Sequence, residues 1–113
     1  MPRPPKSFPV DDYVADVLMR DLVGHDRSTA AFVVYLWLWS RSRALGRATI
    51  GASLQTIASE TGLSKSSVQN AVKRLTWRRL ISARREGPTT APIYEVREPW
   101  RRPAEADALG FTG

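Results

Sequence analysis

The chain has 113 residues, about one domain, and its 42% hydrophobic and 25% charged residues are typical of a soluble globular protein rather than a disordered one. It has no cysteine and a single histidine, which excludes disulfides, thiolate metal sites and imidazole clusters, so neither a metal nor a cofactor is expected. The formal net charge of +6 indicates an acidic partner.

The N-terminal quarter predicts an arm followed by a short helix. Four prolines among the first nine residues indicate a flexible, extended arm over residues 1–10. Asp11 or Asp12 then caps an amphipathic helix that stops before Gly24. Its apolar residues recur at helical spacing: Val14, Val17, Leu18 and Leu22. This helix either packs on the core or contacts a second subunit.

A strongly apolar helix follows. Ser28 caps the segment TAAFVVYLWLWSRSRA, whose apolar residues occupy nearly every side. Because Trp37 and Trp39 are large surfaces to leave in water, they need a cover. A second subunit is one candidate, and the first helix with the C-terminal tail is the other. Gly46 ends the helix, and RATI (residues 47–50) is a plausible short strand before Gly51.

The next stretch, LQTIASETGLSKSSVQNAVKRL, predicts two helices joined by a tight turn. Ser53 caps the first helix, where Ala58 is small enough to let a second helix approach closely. Gly62 tolerates the positive φ that the turn requires. Ser64 caps the second helix, which runs to about Arg78. It docks by an apolar stripe of Val68, Ala71, Val72 and Leu75.

The opposite face of this second helix is polar and basic. At 100° per residue, its centre and flanks are occupied by Ser66, Asn70, Lys73, Gln69, Ser67 and Arg74. Such side chains pair with base edges, and Ser64 and Lys65 at the helix N-terminus suit a phosphate. Any solvated helix shows polar residues, but residues 63–85 carry seven cations and no acidic residue. The local charge therefore favours nucleic acid.

Two short runs, ISARR and PIYEV, are separated by the turn-rich EGPTTA and predict a hairpin. Arg84 and Arg85 either solubilise an edge strand or contact phosphates or a minor groove. The second role is preferred because they extend the acid-free stretch. Glu86 at the tip opposes close approach to DNA, which leaves the contact to the arginines and to Thr89 or Thr90. At the end of the apolar helix, three more arginines either touch the DNA backbone or form a solvated helix end: Arg41, Arg43 and Arg47.

Residues 28–96 resemble a winged helix-turn-helix domain, similar to those of bacterial MarR-type and GntR-type regulators and of phage and plasmid regulatory or replication proteins. The resemblance rests on LQTIASETGLSKSSVQNAVKRL followed by LISARR. It implies that the helix from Ser64 is the recognition helix, that residues 84–92 form the wing, and that RATI pairs with the hairpin. Arg79 departs from the pattern, since such domains usually end the recognition helix with Gly. Trp77 points to solvent, where the tail around Trp100 or a partner would cover it.

The expected fold is therefore mainly α with a small β-hairpin wing, a winged helix-turn-helix with an extra N-terminal helix. The expected divisions are the arm 1–10, the domain 11–98 and a C-terminal tail 99–113. No catalytic arrangement is found, because the carboxylates of the first helix lack a basic or metal-binding complement and His25 lies in a surface loop. An enzyme is not expected.

The leading hypothesis for function is sequence-specific binding of double-stranded DNA by a transcriptional regulator, a homodimer through its N-terminal helices. The alternatives are the DNA-binding module of a plasmid or phage replication or partition protein, and a winged-helix scaffold that binds protein. The longest apolar run, residues 30–39, is shorter than the about 20 residues of a bilayer span. Without a membrane anchor or secretion signal, a cytoplasmic, nucleoid-associated protein is expected.

Overall fold

The computed structural model describes residues 7–45 and 49–101, which form four helices and a small antiparallel sheet, so the expected mainly α fold is confirmed. The N-terminal helix (residues 12–25) contains two π-helical stretches, Val14–Leu18 and Arg20–His25. The other elements are α1 (Thr29–Leu45), β1 (Thr49–Gly51), α2 (Leu54–Thr61), α3 (Lys65–Trp77), β2 (Ile81–Arg84) and β3 (Ile93–Val96).

The N-terminal helix differs from its prediction at both ends. No aspartate side chain caps it; the Asp11 carboxylate instead accepts hydrogen bonds from Trp100 and Arg101. The helix also continues through Gly24. It ends at His25, Arg27 follows with a φ of 54°, and the Ser28 N–H donates to the Leu22 carbonyl at 2.7 Å. The predicted stop was wrong because a helical glycine is only mildly unfavourable, whereas this left-handed residue reverses the chain.

The α1 helix is the centre of the core. It begins as predicted, with the Ser28 hydroxyl accepting from the Ala31 N–H at 3.2 Å. Trp39 is only 1% exposed, donates its indole N–H to the Pro9 carbonyl at 2.8 Å and stacks on Trp100. The chain itself therefore covers Trp39, and a second subunit is not needed there. The predicted stop at Gly46 lies outside the described residues.

The three strands pair in the order β1-β3-β2, so β3 lies in the middle of the sheet. Thr49 and Ile50 pair with Glu95 and Tyr94, which confirms that this part of RATI joins the hairpin. Residues 47 and 48 are outside the described ranges. Because β3 is bonded on both edges, the wing hairpin is fixed to the strand that precedes α2.

The predicted helix-turn-helix geometry is confirmed in detail. The Ser53 hydroxyl accepts from the Thr56 N–H at 3.0 Å and starts α2. Gly62 ends that helix with a φ of +81°, and its N–H donates to the Ala58 carbonyl at 2.9 Å. Ala58 is buried, and it allows α2 and α3 to approach closely.

The C-terminus of α3 has the left-handed backbone conformation expected there, but an arginine adopts it instead of a glycine. Arg79 has a φ of 60°, the left-handed conformation that glycine adopts most easily. Its N–H donates to the Thr76 carbonyl, and the Leu80 N–H donates to the Leu75 carbonyl, both at 3.0 Å. This is the Schellman pattern, with Leu75 and Leu80 both buried beside it. The helix therefore ends where a glycine would have ended it, and β2 follows directly.

Candidate nucleic-acid interface

The α3 helix presents the predicted face to solvent. Val68, Ala71 and Leu75 are buried against the rest of the domain. The predicted outward residues are exposed or half-buried, and the exposed ones are Ser66, Gln69, Asn70 and Lys73. Ser67 and Arg74 are half-buried at its sides. This orientation brings the predicted base-reading side chains together, although their contact with DNA stays a prediction.

The serines at the start of α3 first serve the helix itself. The Ser64 hydroxyl accepts from the Ser67 N–H at 3.1 Å and donates to the Ser67 hydroxyl at 2.9 Å. Ser64 also lies 3.3 Å from the Ser66 hydroxyl. These bonds satisfy one of the free amides at the helix N-terminus and fix the first turn. Lys65 is exposed beside these serines, so its ammonium group is the group at the N-terminus of α3 that is most available to bind a ligand.

A cleft of about 370 Å³ joins the starts of α2 and α3 to the wing. Its cations are Lys65 and Arg85, and its polar walls include Ser53, Gln55 and Thr89. Sequence reasoning missed Ser53 and Gln55 as lining residues, because it treated the start of α2 as structural only. The signal was present, since a capped helix N-terminus with a free lysine nearby favours an anion.

The two wing arginines, Arg84 and Arg85, differ in the contacts that their side chains make within the hairpin. The Arg85 guanidinium donates to the Thr90 carbonyl at 3.1 Å, which holds it across the hairpin loop. Arg84 is exposed, and its guanidinium lies 3.5 Å from the Glu86 carboxylate. The Thr90 hydroxyl is used within the loop, accepting from the Gly87 N–H at 2.9 Å. Thr89 is therefore the threonine left free to reach outward.

One cation of the basic stretch is removed from the interface. Arg78 bonds through its Nε to the Asp26 carboxylate at 3.0 Å, and the side chain of Asp26 is 5% exposed. Burial alone would raise the pKa of Asp26, but the hydrogen bond from His25 and the positive charge of Arg78 outweigh it and lower the pKa. The ionised carboxylate thus fixes the end of α3 to the loop before α1.

Two arginines of α1 are also engaged within the fold. Arg41 lies 3.5 Å from Glu60, and Arg43 pairs with Glu98 while its guanidinium sits 4.0 Å from the Trp39 ring centroid. Arg43 is therefore neither a free DNA-backbone contact nor a solvated helix end, because its side chain packs against the C-terminal segment. Arg47 is outside the described residues.

Trp77 is 74% exposed at the end of α3, as predicted from helical spacing. Of the two covers considered, Trp100 is not one, because it stacks on Tyr13 at 4.7 Å between ring centroids and on Trp39 at 6.2 Å. The rest of the predicted tail, residues 102–113, lies outside the described residues. Trp77 instead lines an open cleft of about 540 Å³ with Asn70, Lys73 and Arg74.

The comparison with known families agrees with this geometry. Residues 28–81 match the family model of a helix-turn-helix domain. The match covers just under half of the chain, from the cap of α1 to the first residue of β2. A helix-turn-helix domain supports DNA binding and is typically not an enzyme. The closer likeness to MarR, GntR or phage proteins stays a prediction. No curated protein and no solved structure matches the chain.

Across residues 7–45 and 49–101, every helix is too short or too polar to cross a membrane.

Proposed function

We propose that this protein binds double-stranded DNA sequence-specifically and regulates transcription in the cytoplasm, with α3 in the major groove and residues 84–92 on the backbone or minor groove. One observation carries the proposal: the exposed face of α3 aligns Ser66, Asn70 and Lys73 within a stretch of 23 residues, 63–85, that has no acidic residue. The helix-turn-helix match supports the same partner.

The dimensions of α3 suit a major groove. Its 13 residues span about 20 Å, and the groove is about 12 Å wide, so the helix can lie in it with its N-terminal half against the bases. Asn70 and Gln69 have the amide groups that pair with adenine, and Lys73 and Arg74 have donors for guanine or for a backbone phosphate. Ser66 and Ser67 can pair with either kind of base.

Phosphate binding is assigned to the cations around the helix-turn-helix. Lys65 and Arg85 line one cleft, with Ser64 and the α3 N-terminus at its side. A DNA strand that passes from the α3 N-terminus to the wing would contact both Lys65 and Arg85. With four or five cations engaged by each chain, log affinity should fall with log salt at a slope of about −4 for each bound chain.

A homodimer through the N-terminal helices is part of the proposal. Val33, Leu36 and Trp37 form a half-buried apolar stripe on α1, at positions that share one helical face. The Trp37 indole N–H is buried and has no hydrogen-bond partner among the described residues. Leu36→Glu should therefore convert a dimer to a monomer in sedimentation equilibrium, while Ser59→Glu, which adds the same charge on α2, should not. A wild-type monomer at every concentration would reject the dimer.

The first experiment is fluorescence anisotropy of a labelled pool of random duplexes over a series of salt concentrations, with an acidic protein as competitor. Steep salt dependence that resists the competitor is the expected result, followed by selection of a preferred site. A protein scaffold predicts no duplex binding even at low salt, and that result would overturn the proposal. Binding without any preferred site would instead remove the regulatory part of it.

The wing offers a matched pair of variants. Arg84→Ala removes a positive charge and Glu86→Gln removes the negative charge 3.5 Å from it. If the wing approaches DNA, the first variant should weaken binding and the second should strengthen it, with salt slopes changed in opposite directions. Equal affinity of both variants and the wild type would exclude the wing from the interface.

A further inference from the structure

Trp77 is the tryptophan that the fold leaves in water. All four tryptophans lie within the described residues, and the other three are buried or half-buried. Trp77 is 74% exposed, and its neighbours Thr76 and Arg79 are exposed as well. A large aromatic surface is costly to leave hydrated, and exposed aromatic groups often mark a contact site.

The surroundings of Trp77 favour an anionic polymer over a protein. It shares an open cleft with Asn70, Lys73 and Arg74, and the Arg74 guanidinium lies 5.4 Å from its ring centroid. Neither Lys73 nor Arg74 has a carboxylate partner among the described residues. A phosphate backbone supplies a regular row of anions that can pair with both cations beside the indole at once.

The length of α3 places Trp77 at the edge of the groove. Trp77 is about 16 Å along the helix from Ser66, at a rise of 1.5 Å per residue, while the major groove is about 12 Å wide. By the helical angle, Trp77 lies on the same line as Ser66, Asn70 and Lys73. When the N-terminal half of α3 meets the bases, its last turn therefore reaches the sugar-phosphate strand that borders the groove.

We infer that Trp77 is a DNA-backbone contact: one face of its indole packs on a deoxyribose, and its N–H donates to a neighbouring phosphate. Lys73 and Arg74 bind the phosphates on either side, with Arg74 stacked on the other indole face. An indole suits a deoxyribose and its neighbouring phosphate because it combines an apolar surface with a single hydrogen-bond donor. The inference rests on the proposed duplex binding, and it adds an uncharged contact that is independent of base sequence.

The test combines quenching with affinity in the full chain. Acrylamide quenching of the wild type, compared with Trp77→Phe, isolates the fluorescence of Trp77 because Trp37, Trp39 and Trp100 are present in both proteins. Saturating duplex should protect Trp77. Trp77→Ala should weaken binding to all duplexes about tenfold, which corresponds to about 1.4 kcal/mol, and Trp77→Phe should weaken it less. Met19→Ala, an exposed apolar residue of the N-terminal helix, is the matched control.

The salt slope distinguishes this contact from a charged one. Trp77→Ala should leave the slope unchanged, since an uncharged side chain releases no counterions, while Lys73→Ala should reduce it by about one unit. A wild type that binds duplex while Trp77 stays open to acrylamide, with Trp77→Ala of normal affinity, would overturn this inference alone. Such a result would assign the tryptophan to a protein partner. A wild type that binds no duplex would overturn the proposed function and this contact together.

Discussion

Arg79→Gly should stabilise the protein, although it removes a side chain and a charge. Arg79 adopts a φ of 60°, and a left-handed conformation costs a non-glycine residue about 1–2 kcal/mol. Glycine removes that cost, but it also gives the unfolded chain more freedom, which offsets about 0.4–1 kcal/mol. The expected net gain is about 0.5–1 kcal/mol, or roughly 2–6 °C in Tm for a domain of this size. Arg79 is exposed, so little packing is lost.

The assay is thermal and urea unfolding of the wild type, Arg79→Gly and Arg79→Ala. Alanine removes the same charge but keeps the backbone cost, so it should change stability by less than about 0.5 kcal/mol. Arg79→Asn should fall between alanine and glycine, because asparagine tolerates the left-handed region better than most residues. If glycine stabilises no more than alanine, the backbone of Arg79 carries no strain. The Schellman interpretation of the end of α3 would then be wrong.

Four further changes test the site and the fold. Asn70→Ala should lower discrimination at one base pair by about 1–3 kcal/mol in competition with site variants, and an unchanged preference would reject the recognition face. Lys65→Ala should weaken all duplexes alike and reduce the salt slope by about one unit; an unchanged slope removes it from the phosphate contacts. Gly62→Val should lower Tm strongly, because a β-branched residue resists a φ of +81°, and a normal Tm would contradict the turn. The pKa of Asp26 is lowered in the fold, so its stabilisation is present at neutral pH and lost as pH falls below about 4. Asp26→Asn should thus be less stable than wild type at neutral pH, with the difference shrinking at acidic pH in urea titrations.

Features fixed by neighbouring residues could be predicted from the sequence. The caps Ser28, Ser53 and Ser64 and the turn residue Gly62 occupy their expected places, because a cap or a turn depends on the few residues beside it. The exposed face of α3 followed from helical spacing alone. The same reasoning missed the left-handed Arg27, because an arginine there has no sequence signal.

Contacts between distant parts of the chain could not be predicted. Asp11 was one of two residues expected to cap the first helix, but its carboxylate bonds to Trp100 and Arg101, about ninety positions later. These bonds lower the pKa of Asp11 against the opposing effect of burial. Similarly, the pairing of Asp26 with Arg78 neutralises one of the seven cations counted in the basic stretch 63–85. Spacing says nothing about which surfaces meet after folding.

Because β3 lies in the middle of the sheet, the part of the chain that must fold together is longer than the part that matches a known family. The helix-turn-helix match ends at Ile81, yet β3 (Ile93–Val96) bonds to both other strands, and the Tyr35 hydroxyl donates to the Arg97 carbonyl at 2.8 Å. A fragment cut to residues 28–81 would keep every predicted base contact, but it would leave β1 without its partner strand β3 and would remove Trp100, which covers Trp39. It should aggregate, whereas a fragment of residues 7–101 should unfold as one cooperative unit. Protease resistance should therefore extend well past the region that sequence comparison detects, and the boundaries chosen for expression decide whether DNA binding can be measured.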